Sequence, residues 1–214
     1  MAGGALSQRI ERRLQRVGLS LPAVELGQLG MYFGLLTKWN RQINLTSLPL
    51  EPVTDAAVDR LVIEPVAAAK QVQDADRVLI DLGSGGGSPA IPLRIAAPQL
   101  RLVMVESKTR KSAFLRDAVR LLELGDVEVA NARFEDLLTR IDLHEAADLV
   151  SVRAVRADRR LWNPVLAFLR PKGRVFWFTT SSSTLPAIDM QLMLMSTMRL
   201  IPKSATQLAI LQKP

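Results

Sequence analysis

A glycine-rich turn set between an apolar run and a helix narrows the folds open to this chain. Arg77-Val78-Leu79-Ile80-Asp81 leads into Leu82-Gly83-Ser84-Gly85-Gly86-Gly87-Ser88-Pro89, and Ala90 to Ala96 follows with helical character. A strand that feeds a glycine turn and then a helix opens a βαβ unit, and glycine lets the backbone approach a nucleotide-like ligand where a Cβ would collide. The remainder repeats the theme: short apolar runs at Arg101 to Glu106, Val127 to Asn131, Leu149 to Arg153 and Arg174 to Phe178 alternate with longer amphipathic segments. That order predicts an α/β chain around a mostly parallel sheet. Met190 to Leu200 and Thr206 to Leu211, after a polar loop at Thr179 to Thr184, supply the last two strands and bring the count to seven.

Before Gln71 the periodicity is helical. Leu6, Ile10, Leu14 and Val17 share one face of a first helix, with Arg9, Arg12, Arg13 and Arg16 on the others. A second helix spans Val24 to Gln42, and a third spans Asp55 to Ala69 with an expected interruption at Pro65. The division is therefore a helical extension over 1–70 and an α/β domain over 71–214.

Two ligand classes use a glycine turn of this kind. A dinucleotide fingerprint GxGxxG needs its third glycine at 88, where this chain has Ser88. An acid two residues before GxGxG, here Asp81, followed by an acid closing the next strand, here Glu106, is the pattern of class I methyltransferases. The Glu106 carboxylate is placed to accept both ribose hydroxyls of S-adenosylmethionine.

Composition removes other chemistries. The 214 residues include no Cys, so disulfides, thiolate zinc sites and thiol nucleophiles are excluded, and the single His144 sits in a polar stretch with no partners for a triad or metal site. With 28 Lys+Arg against 21 Asp+Glu the net charge is +7, which favours a polyanionic partner. The opening residues carry no apolar segment of secretory type and the longest apolar runs are of strand length, so the expectation is a cytoplasmic protein away from membranes.

The run after the fourth strand, Ser151-Val152-Arg153-Ala154-Val155-Arg156, lacks the Asn/Asp-Pro-Pro-aromatic motif that holds exocyclic amines. A ring nitrogen such as guanine N7 offers a lone pair without a proton and needs no general base, which suits a site poor in His and Cys. Arg153 reads equally as a functional cation or as a strand-end charge paired with a nearby carboxylate. Arg156, Arg159 and Arg160 beside Trp162 read as a phosphate grip or a solvated face, and Lys108, Arg110, Lys111 and Arg116 as solvent-facing by default or as part of an RNA-binding surface.

Several segments together resemble the RsmG (glucose-inhibited division protein B) family of 16S ribosomal RNA guanine-N7 methyltransferases. They are Lys38-Trp39-Asn40-Arg41-Gln42-Ile43-Asn44-Leu45-Thr46, the extended loop Ile80 to Leu93, Glu106-Ser107-Lys108 with Lys111 and Phe114-Leu115-Arg116, then Arg133-Phe134-Glu135 and Arg153-Ala154. The resemblance implies a Rossmann-like, seven-stranded class I methyltransferase that uses S-adenosyl-L-methionine and acts, without a metal, on 16S rRNA or the small ribosomal subunit. It implies a cofactor site of Asp81, Gly83, Gly85, Ser88, Glu106, Phe134, Glu135 and Arg153, with Arg153 also the catalytic group. Asn44, Thr46 and Arg156 fall on the substrate side, and a monomer is expected. The chain departs from the family where a His opens an H-x-x-D-S-L stretch, here Arg60 to Pro65, and where Lys-Gly follows the fifth strand, here Phe178-Thr179-Thr180. These departures leave open a non-catalytic assembly factor that binds the cofactor, or a methyltransferase with a diverged substrate.

Overall fold

The computed structural model describes residues 2–180, 191–202 and 204–214. Five parallel strands, β1 (Val78–Leu82), β2 (Arg101–Val105), β3 (Val127–Ala130), β4 (Ala147–Arg153) and β5 (Leu169–Thr180), are joined by antiparallel β6 (Met193–Arg199) and β7 (Thr206–Gln212). The order across the sheet is β3-β2-β1-β4-β5-β7-β6. All seven expected strands are present. Residue 190 and the 181–184 part of the Thr179–Thr184 loop lie outside the described residues.

Strand order reverses between β1 and β4, so the turns leaving those two strands open a crevice at their carboxyl ends, where open α/β sheets hold ligands. Both faces of the sheet are covered, which explains why the central strands read as unbroken apolar runs. Leu79, Leu102, Met104, Leu149 and Phe176 look toward the N-terminal helices, and Ile80, Val103, Val150, Val175 and Trp177 toward the opposite layer.

Helices α1 (Ala2–Arg16) and α2 (Ala23–Asn40) form much of the first layer, with Ile10, Leu14, Leu29, Phe33 and Leu36 fully buried. After α2 the Asn40 side chain accepts from the backbone amides of Leu45 and Thr46 at 2.9 and 3.0 Å, folding the 41–48 segment back over the glycine turn. Tyr32 reaches the same turn from α2, its hydroxyl donating to the Gly86 carbonyl at 2.7 Å.

The third helical stretch does not break at Pro65. Thr54 caps α3 (Asp55–Val58), a π turn follows at Asp59–Ile63, and α4 (Glu64–Ala68) carries Pro65 in its first turn. Proline has no N–H, so neither the Leu61 carbonyl four residues back nor the Arg60 carbonyl five back finds its helical donor. The widened turn accommodates the proline and leaves both oxygens for partners elsewhere.

On the sheet, α5 (Ala90–Ala96), α6 (Thr109–Leu121) and α7 (Arg159–Phe168) follow β1, β2 and β4. Trp162 of α7 is buried edge-on against Trp177, 5.8 Å between ring centroids, so it belongs to the core and not to the arginine cluster beside it in sequence. β5 begins five residues earlier than expected, at Leu169: Gly173, whose Cβ would sit 2.8 Å from the Arg170 carbonyl oxygen, lets the strand kink and continue.

Candidate functional site

The glycine turn sits above the β1–β4 crevice. Gly83 takes φ +79°, and a Cβ there would lie 2.7 Å from a Val155 methyl; its amide and that of Ser84 both donate to the Val105 carbonyl, fastening the turn to β2. Gly85, at φ +53°, would have its Cβ near nothing closer than the Gly83 carbonyl oxygen at 3.8 Å. Open space therefore lies over the turn at Gly85, the cradle a close-approaching ligand requires.

Two cavities meet at this turn. One of about 280 Å³ is bounded by Gly83, Val105, Glu106, Ala132, Phe134 and Glu135. The other, about 450 Å³, lies between the turn and the folded-back 41–48 segment and is lined among others by Leu36, Thr46, Arg60, Lys111 and Arg153. Gly83 and Glu106 are common to both, so the space is one elongated trough waisted at Glu106.

Glu106 holds the waist. One carboxylate oxygen accepts from the Gly85 amide at 2.9 Å and the other from the Lys108 amide at 2.7 Å. Each oxygen keeps a further lone pair for an incoming hydroxyl.

Arg153 behaves as the paired strand-end charge and as a cavity wall at once. It is nearly buried, with its guanidinium 3.0 Å from the Glu64 carboxylate and over the Phe178 ring at 4.3 Å. It also donates to the Arg60 carbonyl at 2.5 Å and to the Ser88 hydroxyl at 3.1 Å, while Ser88 donates to the Leu61 carbonyl at 2.9 Å. The two carbonyls orphaned by Pro65 are thus satisfied by Arg153 and Ser88. Burial pushes the Arg153 pKa down to about 10, opposed by the nearby Glu64 carboxylate. Glu64 also accepts from the Ser204 hydroxyl at 2.8 Å and faces Arg60 at 3.5 Å. The Arg60–Pro65 departure from the family pattern is therefore where the N-terminal segment grips Arg153.

Asp81 lies beneath the turn and lines neither cavity. One oxygen accepts from Ser151 at 2.5 Å; the other is buried without a partner among the described residues. Burial lifts its carboxyl from an ordinary 3.8 to about 6, opposed by Ser151, Ser84 and Arg153. A folded-state pKa above the unfolded one contributes stability that is complete below the unfolded value and lost as pH rises through the folded value. The stability of Asp81→Asn relative to wild type is thus expected to rise by up to about 3 kcal/mol between about pH 4 and about pH 8. Urea unfolding across that range checks it, and a difference independent of pH contradicts it.

The remaining expected residues divide. Phe134 and Glu135 line the smaller cavity and Thr46 the larger. Asn44 is exposed and lines neither, with Asn40 organising its segment instead. Arg156 is 90% exposed, 3.6 Å from Asp158. Lys111, expected to face solvent, is half-buried in the cavity wall, because the first turn of α6 brings it beside Glu106; its spacing after Glu106 was the available signal. Among the described residues no cluster of His, Asp and Glu is suited to a metal, and no helix is long and apolar enough to cross a membrane.

The sheet order, the switch-point crevice and the acid-flanked glycine turn define a class I methyltransferase fold. Solved structures agree: TrmN from Thermus thermophilus matches with a TM-score of 0.54 at 18% identity over 70% of this chain and 48% of that one. A predicted O-methyltransferase from Agrobacterium tumefaciens matches with a TM-score of 0.56 at 15% identity over 71% of this chain and 81% of that one. The chain belongs to the GidB family, rRNA small subunit methyltransferase G, whose model matches residues 25–196. It is similar to the ribosomal RNA small subunit methyltransferase G of Roseiflexus sp. (strain RS-1), 37% identical over 74% of this chain and 66% of that protein. The protein of the same name from Xanthomonas euvesicatoria pv. vesicatoria (strain 85-10) is 40% identical over 70% of this chain and 66% of its own length. The chain thus spans just under two thirds of these relatives.

Proposed function

We propose that this protein transfers a methyl group from S-adenosyl-L-methionine to N7 of a guanine in 16S ribosomal RNA. The observation that carries the reading is the waisted trough at Gly83 and Glu106, within the family-matched stretch. The smaller cavity, walled by Phe134, suits the adenine ring, Glu106 the ribose hydroxyls, and the larger cavity the methionine end. The open cradle at Gly85 fits a ligand that needs close backbone approach. When bound, S-adenosylmethionine supplies a methyl carried on a sulfonium.

The chain's own residues bind and orient. Neither cavity wall contains His or Cys; of the two carboxylates there, Glu106 is held by the Gly85 and Lys108 amides and Glu135 lies in the smaller cavity, on the adenine side. That favours an acceptor with an available lone pair, for which alignment supplies much of the catalysis. In this reading Arg153 is the cation of the active-site wall, with Thr46, Asn44 and Arg156 toward the RNA. Residues 1–70 form the lid-side extension of a 71–214 catalytic domain, and one chain suffices because it lines both cavities. Its place of work is the cytoplasm, where small ribosomal subunits are assembled.

The donor half is tested by calorimetric titration. S-adenosylmethionine and S-adenosylhomocysteine are expected to bind and NAD to give no heat; NAD binding in their place would sink the reading.

A further inference from the structure

Helix α1 lies outside the stretch matched by the family model, which begins at residue 25, and its arginines take no part in the trough. Its apolar face is buried through Ile10 and Leu14, and Arg9, Arg12, Arg13 and Arg16 stand on the other side. Two aspartates answer these four charges. Arg9 bonds Asp55 at 3.0 Å through Nε, and Arg13 bonds Asp59 at 2.8 Å and Asp55 at 3.1 Å. Arg16 is 67% exposed, 4.0 Å from Asp55, while Arg12 is exposed and its Nε reaches the Gln8 carbonyl of its own helix at 3.4 Å. The row therefore carries an excess of positive charge, concentrated at Arg12 and Arg16.

This row is joined to the trough. The arginines and Asp55 line a shallow depression of about 210 Å³. Arg13 also borders a groove of about 580 Å³, whose walls include Leu48, Asp59, Arg60, Ile201 and Thr206. Leu48 and Arg60 in turn border the larger cavity of the trough. Arg13 is the first junction and the Leu48–Arg60 pair the second, so depression, groove and trough run on from one another. The groove falls within the roughly 300–1,000 Å³ range of small-molecule sites, room for one nucleotide.

We propose that this track is the path of the single-stranded RNA segment that carries the acceptor base, with phosphates on Arg12 and Arg16 and a flanking nucleotide in the groove. The proposal rests on the reading that the substrate is RNA. Unneutralised arginines attract any polyanion. Continuity into a groove with apolar walls, ending at the cofactor trough, favours a strand over a lipid surface, which would lie flat on α1 and leave the groove empty.

The test uses the full chain and the double variant Arg12→Glu/Arg16→Glu, with Arg77→Glu/Arg101→Glu as the same charge change at the amino ends of β1 and β2, opposite the trough. Binding of a labelled single-stranded RNA is followed by fluorescence anisotropy over a salt series. The α1 pair is expected to weaken binding about tenfold near 100 mM salt and to flatten the slope of log affinity against log salt by about 1.4, about 0.7 for each phosphate that is no longer neutralised. S-adenosylmethionine affinity and thermal midpoint stay at wild-type values, and the control pair binds RNA like wild type. Equal losses in both pairs, or none in the α1 pair, overturn the path. So does loss of binding to phosphatidylserine vesicles with RNA binding intact. Wild-type methyl transfer by the α1 pair at limiting RNA would remove the path and leave the methyltransferase reading standing. A wild-type protein that neither binds nor methylates RNA would remove both.

Discussion

Replacing Glu64 by alanine is expected to lower the thermal midpoint by about 6–20 °C, from a loss of about 3–5 kcal/mol. Glu64 is 2% and Arg153 7% exposed, and the two are 3.0 Å apart. Truncating the carboxylate leaves a buried guanidinium with only a carbonyl and a hydroxyl, which costs far more than the intact pair contributes over an apolar replacement. The Ser204 hydroxyl loses its acceptor as well. Glu64→Gln keeps one acceptor oxygen, which can stay on Arg153 while its amide N–H donates to the Ser204 hydroxyl, and should fall by less. Glu64→Leu with Arg153→Met should recover most of the lost stability while disturbing the cavity wall. Thermal unfolding by circular dichroism decides: a fall of under about 1 kcal/mol for Glu64→Ala would show that water reaches Arg153 and that the clamp on the N-terminal segment is loose.

The second large effect falls on ligand affinity. Glu106→Ala removes the acceptor that holds the Gly85 and Lys108 amides together with the one proposed for the ribose hydroxyls. At about 1.5–3 kcal/mol for a charge-assisted hydrogen bond, S-adenosylmethionine affinity is expected to fall roughly 10- to 150-fold. Glu106→Gln should lie between, because its amide oxygen still accepts one bond. Calorimetry measures both. Unchanged affinity in Glu106→Ala would mean that the waist of the trough does not hold the ligand.

Much of this architecture was legible because it is written in local periodicity. Each central strand is an apolar run buried on both faces, and the glycine turn announces itself between β1 and α5. Asp81 and Glu106 were found by their spacing to that turn, although the structure puts Asp81 under the turn instead of in a cavity wall. What could not be read depends on distant partners. Pro65 signals a break in isolation, yet its missing N–H is absorbed by a π turn whose free carbonyls are bonded by Arg153 and Ser88, 93 and 27 residues away from their acceptors. Lys111 was legible only through its spacing after Glu106, since the composition of its helix points to solvent. The groove between α1 and the β6–β7 connection has no motif, since its walls come from both ends of the chain.

Delivery of a methyl group from this trough to guanine N7 can be followed in the RNA itself. Small ribosomal subunits lacking the modification are incubated with the protein and methyl-labelled S-adenosylmethionine, and N7-methylguanine is then mapped by chain cleavage of the 16S RNA. Label at a single guanine, scissile at that position, is the predicted result. Donor binding without label in any RNA fraction, or label that gives no cleavage, would contradict it.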